Sequence, residues 1–207
     1  MKFLIAKKIE MSQEYGEDGM VTPVTILQAG PVIVTQVKTD AFDGYSAVQV
    51  GFGERKEKNV SKSVKGHTKG LGTFAVLNEF RTDGSEETYE RGQKITADTF
   101  EAGDMVDVSG VSIGCGFAGV VKRHGFHGSP ATHGHKDQNR MPGSIGAQQP
   151  QHVIKGMRMG GQMGNKNVTV KNLEIISADA KTNTVKVKGA VPGANGSIVT
   201  IKSAKSA

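Results

Sequence analysis

The sequence predicts a mainly β protein, a barrel or sandwich, with one long irregular stretch set into it. Three observations lead there. β-branched residues gather in short runs bounded by Gly, Pro and Asp-Gly turn signals. No segment of the 207 residues sustains a helical period. Gly stands at 28, about twice the usual ~7%, and the surplus is not spread evenly.

The β signals run in order along the chain. Val21-Thr22-Pro23-Val24-Thr25-Ile26-Leu27 and Pro31-Val32-Ile33-Val34-Thr35-Gln36-Val37 are β-branched and separated by Gln28-Ala29-Gly30. Tyr45-Ser46-Ala47-Val48-Gln49-Val50 alternates and follows an Asp43-Gly44 turn signal. Residues 54–70 are polar and basic and read as an excursion from the sheet. A turn over 99–104 leads to a strand over 105–110. β signals return at 168–170 and 173–176, then Asp179-Ala180-Lys181-Thr182-Asn183 supplies a polar turn before Val185-Lys186-Val187-Lys188. That is a hairpin pattern, and a last run covers 197–201.

Composition bounds the rest. With 36% hydrophobic residues, 5% aromatic and no Trp, the chain fills one modest core but cannot bury every segment. The length fits one domain with an appendage or two small domains. A single cysteine, Cys115, forms no internal disulfide, which points to a reducing compartment. The apolar run near the start, Phe3-Leu4-Ile5-Ala6, is shorter than the ~7–15 residues of a signal peptide, and no run approaches the ~18 of a membrane span. A soluble, cytoplasmic chain without membrane contact is expected.

Charge locates the function. From Val108 to Asn172 the only acid is Asp137, against Lys122, Arg123, Lys136, Arg140, Lys155, Arg158, Lys166 and Lys171. Eight bases less one acid leave +7, so the remainder of the chain sums to −1 within a total of +6. Five of the six histidines, His124, His127, His133, His135 and His152, lie here as well. A solvated face mixes signs; this stretch does not. Lacking aliphatic periodicity, it requires a partner to order it. A polyanion such as folded RNA suits Lys and Arg spaced by Gly, Gln, Asn and Pro.

Other readings of the same residues are weaker. Gly114-Cys115-Gly116-Phe117-Ala118-Gly119 matches the dinucleotide fingerprint, but Val120-Val121-Lys122-Arg123-His124-Gly125 is β-branched and broken by Gly where a helix should open. His124, His127, His133, His135 and Cys115 suggest zinc, yet one cysteine in a strongly positive field is a poor site, and no metal or other cofactor is expected. No nucleophile, base or paired carboxylate pattern stands out, so no catalytic residue is expected and the chain is read as a non-enzyme. Cys115 reads as a small apolar filler, and Met157-Arg158-Met159-Gly160-Gly161-Gln162-Met163-Gly164 as either adaptable packing or a flexible binding surface.

At this point the residues resemble the bacterial large-subunit ribosomal protein L-three family. The blocks are Phe117-Ala118-Gly119-Val120-Val121-Lys122-Arg123-His124-Gly125-Phe126-His127-Gly128, Thr132-His133-Gly134, Pro142-Gly143-Ser144-Ile145-Gly146, Lys155-Gly156 and Gly161-Gln162-Met163-Gly164-Asn165. Lys7-Lys8-Ile9-Glu10-Met11 and Val187-Lys188-Gly189-Ala190-Val191-Pro192-Gly193 match towards the two ends. The chain departs from the pattern at Cys115, often basic in the family, in the shorter segment Ala147-Gln148-Gln149-Pro150-Gln151-His152, and at Ser12 after Met11.

The resemblance implies a six-stranded β-barrel of the translation-protein type with a small α+β insert near 54–98. The barrel body would span 1–112 and 168–207, with 113–167 an extended loop penetrating ribosomal RNA towards the peptidyl transferase centre. It further implies a ribosome-bound structural protein of the large subunit that binds large-subunit RNA early in assembly beside proteins of the L-fourteen and L-nineteen families. Some relatives carry a methylated glutamine; Gln149 is the nearest match in the shortened segment, which would make a glutamine methyltransferase a partner. Together the charge and the resemblance nominate Lys122, Arg123, His124, Phe126, His127, His133, His135, Lys136, Arg140, Ser144, Gln148, Gln149, Lys155, Arg158 and Lys166 as the RNA-binding set. The alternatives are a free-standing RNA chaperone and a translation-factor-like barrel, the latter needing a P-loop or paired carboxylates that the sequence does not display.

Overall fold

The computed structural model describes residues 2–16, 19–82 and 88–204. In chain order the strands are β1 (Phe3–Tyr15), β2 (Val21–Ala29), β3 (Val32–Lys38), β4 (Ala47–Glu54), β5 (Phe74–Arg81), β6 (Lys94–Ile95), β7 (Met105–Val111), β8 (Phe117–Ala118), β9 (Gly161–Gln162), β10 (Asn167–Asp179), β11 (Thr184–Lys188) and β12 (Ile198–Ser203). Three short helices accompany them: α1 (Asp40–Asp43), α2 (Lys62–His67) and α3 (Val120–His124). Two compact units result, Ser112–Lys166 and the segments on either side of it.

In the larger unit, six antiparallel strands close a barrel in the order β1-β12-β7-β10-β11-β2. Closure leaves no free edge among them. The period of two is visible in what is buried: Val106 and Val108, Val185 and Val187, Val199 and Ile201. Each such side chain contributes about 1.5–3 kcal/mol on leaving water.

Strand β1 breaks the alternation. Phe3, Leu4, Ile5 and Ala6 are all buried, because both faces of its first half are covered. Phe3 stacks on Phe80 of β5, with centroids 4.4 Å apart and planes at 16°. Phe80 belongs to a second, four-stranded sheet ordered β5-β4-β3-β6. Hence the barrel and this sheet share one apolar core. The second sheet and α2 lie between β2 and β7 and run from residue 32 to 95, so this α+β part begins well before the 54 expected for an insert; its residues 83–87 lie outside the described residues.

Irregularities bend the long strands. The β1–β2 register shifts between Lys8 and Glu10, and that of β10–β7 between Val170 and Leu173. At the second site Asn172 takes φ 55°, and its N–H donates to Asp107 Oδ1 at 3.0 Å. Bulges of this kind increase strand curvature and let 13-residue strands follow a barrel wall. Lys8 is buried, and its ammonium donates to the carbonyls of Val191 at 2.9 Å and Gly193 at 3.0 Å.

Several sequence readings change in detail. The runs at 168–170 and 173–176 are one strand, β10, carried through the Asn172 bulge. The runs at 21–27 and 31–37 belong to different sheets, with Gly30 at φ 74° between them. Of the runs after residue 167, β10 and β11 form the hairpin, whereas β12 pairs with β1 and β7. In the hairpin turn Asp179 accepts from the Lys181 N–H at 2.9 Å and the Thr182 hydroxyl at 2.8 Å. The polar stretch 54–70 holds α2 and a 3-10 turn at Glu57–Asn59.

Candidate nucleic-acid interface

The chain leaves the barrel at Val111 and re-enters at Asn167, residues paired across β7 and β10. Between them the Ser112–Lys166 unit begins as a narrow ladder. The Ser112 N–H donates to Lys166 O (2.9 Å) and the Asn165 N–H to Ser112 O (3.1 Å). Next, the Cys115 N–H donates to Met163 O (2.8 Å) and the Met163 N–H to Gly116 O (2.9 Å). The ladder ends in the two-residue pairing of β8 with β9.

Helix α3 follows at once. This corrects the expectation that the stretch after Gly119 would not open a helix. Its five residues make little more than one turn, with Gly125 at φ 71° closing it. Val120 is buried under that turn, which outweighs the strand preference of two adjacent valines. So short an element, with no acid in its first turn, lacks the long helix of a dinucleotide fold.

Beyond α3 the chain from Gly125 to Gly160 holds no helix or strand among the described residues, yet it is cross-tied. Met159 O accepts from both Arg123 Nη1 (2.7 Å) and His124 Nε2 (3.0 Å), which fixes the proton of that imidazole on Nε2. The Ser129 N–H donates to Asn139 O at 3.1 Å. The Asn139 amide, turned so that nitrogen faces the carbonyls, donates to His135 O (2.6 Å) and Pro130 O (3.2 Å). Glycine is required at two crossings: a Cβ on Gly128 would collide with Asn139 O, and one on Gly164 with Ile113 O. There the close approach is of the chain to itself.

The nominated residues fall into two groups. Arg123 and His124 are half-buried and spend polar atoms on Met159 O, so they hold the unit's shape. Phe126 and His135 are half-buried too. Lys122, His127, His133, Lys136, Arg140, Ser144, Gln148, Gln149, Lys155, Arg158 and Lys166 are exposed. Every residue from 140 to 159 is exposed, and in the whole unit only Ala118 and Val120 are buried. Ser144 Oγ is engaged locally, donating to Gly146 O at 2.9 Å.

Electrostatically the unit is one-signed. It carries seven of the chain's 26 bases and one of its 20 acids, which leaves 19 of each elsewhere. Among the described residues no three His, Cys, Asp or Glu side chains converge as metal ligands, and the histidines nominated for zinc do not meet. Cys115 is exposed, not the packed filler expected of it, because the ladder around Gly114 and Gly116 has no apolar layer to receive a side chain. Met157 and Met159 are also partly exposed.

This unit contains an open groove of about 760 Å3, lined by residues 124–129, 138, 141–144 and Arg158. Sequence reasoning passed over Gln138 and Met141, which line it. Neither carried a charge or motif that could have marked it.

Comparison with known proteins agrees with this architecture. A family model described as ribosomal protein L3 matches residues 67–185. The chain is 48% identical over 208 residues to the large ribosomal subunit protein uL3 of Pelotomaculum thermopropionicum, covering 100% of this chain and 98% of that one. It is 49% identical to the protein of the same name from Syntrophobacter fumaroxidans, over 98% and 97% of the two chains. Against that of Geobacter sulfurreducens the figures are 48%, 97% and 96%. A closed six-stranded barrel with one basic, acid-poor excursion between adjacent strands, matched at this identity over nearly the whole length, means that the chain belongs to the ribosomal protein L3 family.

Proposed function

We propose that this protein is a structural constituent of the large ribosomal subunit and that the stretch 113–167 is the part that grips large-subunit RNA. One observation carries the reading: the chain's entire positive surplus lies on a unit in which only two residues are buried. Lys122, Lys136, Arg140, Lys155, Arg158 and Lys166, all exposed, neutralise phosphates and release their counterions. Phe126, His127, His133, His135, Ser144, Gln148 and Gln149 meet bases and sugars, where imidazoles stack and amides hydrogen-bond without adding charge. Arg123 and His124 act behind them, holding the backbone at Met159.

In this reading the protein joins the subunit early in assembly. The loop around residues 141–150 reaches towards the peptidyl transferase centre, and neighbours of the L-fourteen and L-nineteen families lie beside it. Gln149 is the position a glutamine methyltransferase would modify; it is exposed and so accessible to one. The protein works bound to ribosomes in the cytoplasm and has no catalytic residues of its own.

Sucrose-gradient sedimentation after a high-salt wash tests the proposal. A structural constituent, held in the assembled subunit by its base and sugar contacts as well as by charge, stays with large subunits even though the free protein's affinity falls with salt. A free-standing RNA chaperone, held by surface charge alone, would be stripped to the top of the gradient, and that result would overturn the reading.

A further inference from the structure

We propose that the groove between residues 124–129 and 138–144 is a built pocket for a single unstacked nucleotide of RNA. The inference rests on RNA contact by the Ser112–Lys166 unit and adds to it a specific site. At about 760 Å3 the groove falls in the ~300–1,000 Å3 range of small-ligand sites, large enough for one nucleotide.

Its walls are tied to one another by the unit's own hydrogen bonds, so the shape does not depend on a ligand alone. Ser129 N–H on Asn139 O, the Asn139 amide on two further carbonyls, and the absence of room for a Cβ at Gly128 hold the two sides at a set spacing. The His124 ring is pinned by Met159 O and lies 6.0 Å from Phe126 at 46°. A flexible charged loop would have none of this.

The lining then selects the ligand. Phe126 and His127 offer aromatic faces, on which an unpaired base stacks and a paired one cannot. Arg158 in the lining supplies the positive charge for the attached phosphate. Gln138 presents an amide donor and acceptor that can meet a base edge. No acid lines the groove, and among the described residues its two histidines join no group of three metal-ligating side chains, so a cation is poorly served there. An acidic peptide would be drawn by Arg158 but would leave the aromatic faces unused.

The experiment uses the full-length protein with a short single-stranded RNA carrying one 2-aminopurine, and with the same strand annealed into a duplex. Stacking in the groove should quench the fluorophore in the single strand. His127→Ala, at an exposed side chain whose loss disturbs no core, and Phe126→Leu, which keeps the apolar volume, should each weaken single-strand binding about tenfold and remove the quench. Duplex binding should fall much less than single-strand binding. Lys166→Ala, outside the groove, should weaken both probes alike.

Unchanged single-strand binding by both groove variants, or equal losses for the two probes, would overturn the pocket. So would displacement of the single strand by polyglutamate as effective as by unlabelled RNA. If the wild-type protein bound both probes without quenching, the pocket alone would fail. If it bound neither, RNA contact by the whole unit would fail with it.

Discussion

Phe3, on the first strand of the barrel, stacks face to face on Phe80 of the neighbouring sheet at 4.4 Å, and both rings are buried. The contact joins residues 77 positions apart and fastens the insert to the barrel. Truncation of either ring to Ala should cost about 3–5 kcal/mol, since lost transfer energy and the cavity left behind add. The doubly truncated protein should be less destabilised than the sum by about 0.5–1.5 kcal/mol, the coupling of an aromatic pair. Urea unfolding of the four proteins followed by circular dichroism checks this, and simple additivity would show that the rings pack independently.

A different failure is expected at Gly128. Its φ is 74°, and a Cβ there would meet the Asn139 carbonyl. Gly128→Ala should open the Ser129–Asn139 tie and weaken RNA binding while leaving the barrel's unfolding midpoint unchanged. Amide exchange reads it directly: the Ser129 amide should lose protection, and those of β10 and β12 should not.

Acid should weaken ties in both the second sheet and the barrel. Hydrogen bonding from the Lys38 ammonium, with help from the Tyr45 hydroxyl and the Gln49 amide, holds the Glu79 carboxyl below its ordinary 4.5. The Lys2 ammonium and the Glu101 N–H do the same for Asp104, below 3.8. A depressed carboxyl contributes stability that is present above its unfolded pKa and lost as pH falls through the folded one. Stability should therefore decline below about pH 4.5, and Glu79→Gln should make that decline shallower. The Lys38 ammonium is raised, so its share is lost only on the alkaline side, above its ordinary 10.5. Thermal melts across pH 2–7 for wild type and Glu79→Gln test the acid limb; identical slopes would remove Glu79 from the account.

The barrel was legible in sequence wherever one face was buried and the other wet, as at Val185-Lys186-Val187-Lys188. Phe3-Leu4-Ile5-Ala6 gave no alternation because both its faces are covered, so β1, as long as any strand here, did not announce itself. Asn172 made one strand look like two, since a bulge and a loop share the same residue types. The basic stretch was visible from charge alone. Its internal ties were not: they run through backbone carbonyls such as Met159 O and Asn139 O, which no residue type reports.

Binding to large-subunit RNA should fall steeply with salt. With ~4–6 phosphates engaged at a slope of roughly 0.7–0.9 each, affinity should drop by about two orders of magnitude between 50 and 200 mM. Filter binding across that range decides it. A nearly flat response would mean that the exposed Lys and Arg of the 113–167 stretch do not lie against phosphates.

The loop at 141–150 offers the sharpest test of where charge is tolerated. All its residues are exposed, two prolines bracket the glycines and glutamines, and Ser144 Oγ closes a local turn onto Gly146 O. The Gln148 and Gln149 amides each provide donors and an acceptor without charge. Against RNA an acid at the same place would face phosphate repulsion that an amide does not. Gln148→Asp and Gln149→Glu should therefore impair subunit assembly or peptidyl transfer, whereas Gln149→Met, similar in size and neutral, should be milder. Neither change touches a buried residue, so the barrel's melting temperature should not move. Subunit profiles and a peptidyl-transfer assay on purified mutant ribosomes separate the outcomes. Equal defects in Gln149→Glu and Gln149→Met would assign the loss to the amide's hydrogen bonds, not to repulsion. Wild-type behaviour of both acidic variants would show that this loop does not lie against RNA.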